Sequence, residues 1–90
     1  MEQLICYVVA IYNNFTARLD ILYIHQRNEI EAVKAALLHN TINNTHYEDR
    51  EQIIKETREW LDSMPENLDE IMEILINAEY VVTCSKNINQ

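Results

Sequence analysis

Between Glu59 and Glu73 the chain reads EWLDSMPENLDEIME, with six carboxylates (Glu59, Asp62, Glu66, Asp69, Glu70 and Glu73) and no lysine or arginine. Acidic side chains at that density have three chemical uses. They can collect a cation, divide acid and base work between two carboxyls, or present a negative surface to a positive one. A calcium loop needs alternating oxygen ligands, and Asp69, Glu70 and Glu73 do not alternate. A carboxylate pair doing acid–base work needs a concave, partly apolar pocket, for which a 90-residue chain has little room. The third use asks only for exposure.

The spacing favours that third use. Glu66, Asp69, Glu70 and Glu73 recur at i, i+3, i+4 and i+7, on the side of a helix away from Leu68, Ile71 and Leu75. Like charges so spaced cost a helix roughly 0.2–0.5 kcal/mol per pair. The helix dipole offsets this near the N-terminus, for Glu66, Asp69 and Glu70. Glu73 gains little from it, and Glu59 and Asp62 sit at the unfavourable end of the preceding helix. These six are the candidate partner-binding residues. An acidic helix that only keeps the protein in solution carries the same charges.

Other chemistry is thin. His25, His39 and His46 fit no zinc spacing, and neither Cys6 nor Cys84 has a second ligand close in sequence, so no metal site is expected. Cys6 and Cys84 fall on strands expected to be neighbours and could approach each other, but no C-x-x-C is present and free thiols are expected. Ser63, Ser85 and the threonines have no defensible histidine and acid partners, so no catalytic residue is assigned. Zero glycines exclude the glycine-rich phosphate loops, and no cofactor is expected. Tight turns should then fall to the ten asparagines.

The net charge of −8 argues against direct nucleic-acid or anionic-membrane binding. It is unevenly spread, since residues 48–73 hold ten acids against Arg50, Lys55 and Arg58. No apolar run approaches the roughly 20 residues of a membrane span, and the apolar start lacks the marks of a signal peptide, so an intracellular, cytoplasmic protein is expected.

The elements that must position these residues form a single domain over 1–90 with the order β-β-α-α-α-β. Leu4–Tyr12 and Ala17–His25 read as a hairpin around Asn13 and Asn14. Asn28 with Glu31 makes a capping box for a helix that should end near Asn40, ahead of a polar loop over 39–46. Thr45-His46-Tyr47-Glu48 is a second capping-box candidate, opening a helix with Ile53, Ile54, Thr57, Trp60 and Leu61 on its apolar face. Trp60 is expected in the core. Pro65 stops that helix, and Asn67 with Glu70 caps the third. Tyr80–Ser85 is the last strand, with KNINQ as a frayed tail.

The fold class is therefore α+β, a three-stranded antiparallel sheet of order 2-1-3 with three helices on one face. Both alternating sets of strand one are apolar, which leaves the uncovered face for a loop, a second subunit or another partner. A homodimer is expected there, with Tyr7, Val9, Ile11, Leu22 and Ile24 as the dimer face.

Over residues 7–38, YVVAIYNNFTARLDILYIHQRNEIEAVKAALL, the chain resembles the small accessory proteins of tailed bacteriophages, many of which open with an aromatic-rich hairpin and an acidic-capped, alanine-rich helix. That resemblance implies an inhibitor of host or defence proteins, of the anti-restriction or anti-CRISPR kind, acting in the cytoplasm of an infected cell. Some of these proteins are acidic DNA mimics, and residues 48–73 would suit that role. The leading expectation is thus a non-enzymatic inhibitor whose acidic helices occupy a basic site on a host or defence protein. The alternative is an oligomerisation module acting through the apolar sheet face.

Overall fold

The computed structural model describes residues 4–46 and 48–89. Its elements are β1 (Leu4–Asn13), β2 (Arg18–His25), α1 (Glu29–Asn44), α2 (Arg50–Asp62), α3 (Leu68–Asn77) and β3 (Tyr80–Asn89). The strands form one antiparallel sheet in the order β2-β1-β3, as the sequence implies. β1 takes the centre because it alone is apolar on both sides and can be flanked on both. β3 runs through Lys86–Asn89 as well, where a frayed tail was expected, because β1 offers ladder partners as far as Leu4 opposite Asn89. Gln90 lies outside the described residues.

Register fixes the two faces. Tyr7, Val9 and Ile11 share a side with Leu22 and Ile24 of β2 and with Tyr80, Val82 and Cys84 of β3. That side is roofed by α1 and α3, while α2 packs on α1. Ala32 and Ala36 of α1 are fully buried, and their small side chains let the helix settle close to Val9 and Ile11. Val33, Leu37, Leu61, Met64, Ile71 and Leu75 complete the core. Trp60 packs half-buried at its margin.

The expected asparagine turns are corrected by the backbone. Among the described residues the left-handed positions are Ala17 (φ 56°), Gln26 (φ 58°) and Glu79 (φ 71°), none of them asparagine. Asn13 acts differently, its side chain accepting from the N–H groups of Phe15 (2.8 Å) and Thr16 (3.2 Å) to hold the hairpin loop. Backbone bonds anchor two of the strained sites, with Gln26 N–H donating to Ile5 O at 3.1 Å and Glu79 O accepting from Asn14 N–H at 2.8 Å.

Helix ends follow their caps. The Asn28–Glu31 capping box is complete, with bonds of 2.8 and 3.3 Å. Asn67 caps α3 through the Glu70 N–H at 3.0 Å. The second capping box is not used, because α2 starts at Arg50 with Asp49 as N-cap and no side-chain bond; Tyr47 lies outside the described residues. α1 also runs a turn beyond Asn40. Asn40 and Asn44, one turn apart, both donate to Asp20 Oδ2 of β2, at 2.6 and 3.1 Å, and Asn44 also donates to Asn40 O at 2.8 Å. Arg50 then donates to the carbonyls of Thr45 (2.9 Å) and Ile42 (3.3 Å), placing a cation on the helix C-terminus.

Replacing Asp20 with Ala removes the acceptor shared by two asparagine side chains. It should cost about 2–3 kcal/mol, the range for bonds to a charged group plus an unpartnered buried donor. Urea denaturation should register that loss, and hydrogen exchange should speed up at the amides of residues 41–44 in particular.

Candidate functional site

All six acidic residues expected to bind a partner are exposed. Glu59 and Asp62 end α2, whose last turn carries no basic residue. Asp69, Glu70 and Glu73 lie on α3. Glu66 does not belong to that helical row, since it precedes the N-cap Asn67, and its Oε1 lies 3.7 Å from Lys34 Nζ. Asp62 also has cations at hand. It lines a groove of about 310 Å³ between α1 and α2, together with Arg27, Lys34, Arg58 and Glu31. Among the described residues, Glu59, Asp69, Glu70 and Glu73 make no salt bridge. The acidic surface is therefore narrower than the sequence suggests and centres on α3.

The residues expected to form a dimer face are placed elsewhere. Val9, Ile11 and Ile24 are buried beneath the helices, at 0%, 1% and 7% exposure, and Tyr7 and Leu22 pack against them. A covered set cannot meet a second subunit, so Val9, Ile11 and Ile24 are corrected to core and Tyr7 and Leu22 to its half-buried margin. The bare face is the opposite one. It carries Cys6, Val8, Ala10 and Tyr12 of β1, of which Cys6 is buried and Val8 and Ala10 are half-buried, flanked by Leu19, Ile21, Tyr23 and His25 of β2 and by Val81, Thr83, Ser85 and Asn87 of β3. Leu19 (57%), Ile21 (56%) and Tyr23 (61%) stand largely in solvent. Three large apolar side chains in a row on one strand form a continuous patch, which differs from isolated surface hydrophobics.

The signal for this choice lay in β3. With both sets of β1 apolar, its own alternation has no phase. In β3, however, Tyr80, Val82 and Cys84 alternate with Val81, Thr83 and Ser85, and the set with the two hydroxyls faces out.

The cysteines do not approach each other. Cys84 is opposite Val9 on the inner side, whereas Cys6 is on the outer side opposite Asn87, and both are free. Cys6 Sγ lies 3.9 Å from His25 Nε2, and no group of three metal-binding side chains occurs among the described residues.

A polar recess of about 380 Å³, which the sequence did not reveal, opens beside the Asp20 cluster. Arg18, Asp20, Asn40, Asn44, Thr57 and Tyr80 are among its lining residues. Asn44 Oδ1 is buried there with no hydrogen-bond partner among the described residues. Arg18 Nε lies 3.4 Å from Asp20 Oδ1. Its titratable lining groups among the described residues are Arg18, Asp20 and Tyr80.

Comparison with protein-family models, with curated proteins and with solved structures finds no significant match. Among the described residues, no helix is long and apolar enough to cross a membrane.

Burial and the nearby Glu29 carboxylate push the Cys84 thiol from 9.0 up to about 11, and burial also raises the Tyr80 phenol. An unfolded chain releases the thiol proton first, so stability present below pH 9 should fall as pH rises toward 11. Urea midpoints measured across that window should decline for the native chain, and less steeply for Cys84→Ala.

Proposed function

We propose that the protein acts by binding another protein, without catalysing a reaction, and that its docking surface is the outward face of the sheet. The observation that carries this reading is the row Leu19, Ile21 and Tyr23, large apolar side chains left more than half exposed beside Val8 and Ala10. Burying such side chains is worth about 1.5–3 kcal/mol each, and the helices cover only the other side of the sheet. The anchors have the composition of an interface core, aromatic and aliphatic without charge.

The test is covalent capture in the cell. Tyr23 replaced by the photocrosslinker p-benzoylphenylalanine should yield protein adducts on irradiation, whereas the same replacement at exposed Glu56 of α2 should not. Failure of position 23 to capture any protein would sink the reading.

A second reading is supported by the bare carboxylates of Glu59, Asp69, Glu70 and Glu73. In it, the helical side of the molecule occupies a basic, nucleic-acid-binding site on a host or defence protein, as in the bacteriophage inhibitors the hairpin and first helix resemble. Asp62 and Glu66 border that surface, with their charges partly offset by Arg58 and Lys34. Steering of this kind acts mainly on the association rate and fades with salt. Reversing Glu70 and Glu73 together to Lys should slow association with a basic test protein, such as a restriction nuclease, by about tenfold or more at low salt. Equal rates for both forms at low salt would remove this reading and leave the first untouched.

A further inference from the structure

The outward sheet face is unusual in its charge. The chain carries 22 Asp, Glu, Lys and Arg residues and a net charge of −8, yet none of the twelve residues that β1, β2 and β3 turn outward between Cys6 and Asn87 is one of them. Two copies of so acidic a chain repel each other at almost any approach. At this face no like charges oppose. The absence of basic residues also gives a strongly acidic or nucleic-acid partner nothing to hold.

The face is also stepped. At the levels of Ile21 and Tyr23 on β2, β1 offers Ala10 and Val8, and β3 offers Thr83 and Ser85; at the Leu19 level the neighbours are Tyr12 and Val81. Over the first two levels a tall row thus borders a low one. If two copies meet face to face about a two-fold axis running along the strands, β2 of each lies over β3 of the other, and β1 lies over β1. The levels are preserved, so Ile21 settles against Thr83 of the partner subunit and Tyr23 against Ser85 of the partner subunit. The other in-plane axis, across the strands, would set tall row on tall row.

The size is adequate. Three strands about 4.8 Å apart over eight paired positions make a footprint of roughly 14 by 27 Å, about 400 Å² in projection and more in accessible surface. Two such faces total about 800 Å² in projection and more in accessible surface, near the roughly 1,000 Å² that a small, weak biological interface should clear.

We infer that the partner of the outward sheet face is a second copy of this chain, packed sheet on sheet with β2 of each copy over β3 of the other. This rests on the reading of that face as the docking surface. It describes a four-layer dimer with helices outermost and strands crossing near the aligned angle of about −30°.

Sedimentation of the purified chain at about 100 µM should give twice the 10.7 kDa chain mass. Ile21→Glu and Thr83→Lys should each reduce it to the monomer mass, with unchanged circular dichroism, because both positions are exposed. Mixing the two variants should restore the dimer, since the new glutamate of one copy then faces the new lysine of the other. A monomeric native chain at that concentration overturns the inference, as does a dimer that survives Ile21→Glu. A mixture that stays monomeric overturns the β2-over-β3 arrangement and with it the inference as stated. If the native chain is monomeric but position 23 still captures a protein of another mass in the cell, the second copy is ruled out and the docking surface stands.

Discussion

The whole structure turns on β1, a central strand that is apolar on both sides and must therefore be covered twice. On one side the cover comes from within the chain. α1 lies over the strands through Ala32 and Ala36, whose small side chains bring the helix axis close, and α3 closes the flank with Ile71 and Leu75. Helices joined by connections as short as those here stay on the side where the first of them lands. With α1 and α3 on the inner face and α2 on α1, no helix among the described residues covers the other. The bare outer face is thus a consequence of the inner one being well made.

The electrostatics follow the same division. Charge is carried by the helices and by the ends of the sheet, where it is solvated, and it is absent from the middle of the outer face. Within the helical layer the distribution is finer than a simple acidic surface. Arg27, Lys34 and Arg58 gather in one groove beside Glu31 and Asp62, and Arg50 closes the carboxyl end of α1. Lys34 is paired with Glu66, and Arg50 with the carbonyls of Ile42 and Thr45. Three of the carboxylates without a salt bridge lie on α3, which has no cation of its own, at Asp69, Glu70 and Glu73; there the helix N-terminus stabilises the first two and leaves Glu73 unexplained by local structure.

Much of this was legible in the sequence, for identifiable reasons. Element order and sheet order follow from residue types and short connections, and two of three caps were correctly read at Asn28 and Asn67 because a cap is a local device. What was missed is non-local. α1 outruns its apolar pattern because Asp20, on another element, supplies an acceptor for Asn40 and Asn44. β3 outruns its own because β1 offers paired backbone beyond Ser85. The left-handed positions fell to Ala17, Gln26 and Glu79 because chain closure demands that conformation wherever the elements end, whichever residue stands there. The inner and outer sides of β1 could not be told apart from β1 itself, which is how its core residues came to be expected at a dimer face.

The two surfaces are not rivals. The outward sheet face and the exposed acids of α3 share no residue, and α3 packs on the inner side of the sheet. Two copies joined through their sheets would carry two α3 surfaces, related by a two-fold axis and held at a fixed separation. A weak electrostatic contact, screened beyond about 8 Å at physiological salt, gains most from such pairing, because the second contact becomes intramolecular. Moderate charge on each copy would then suffice for a partner with two basic sites.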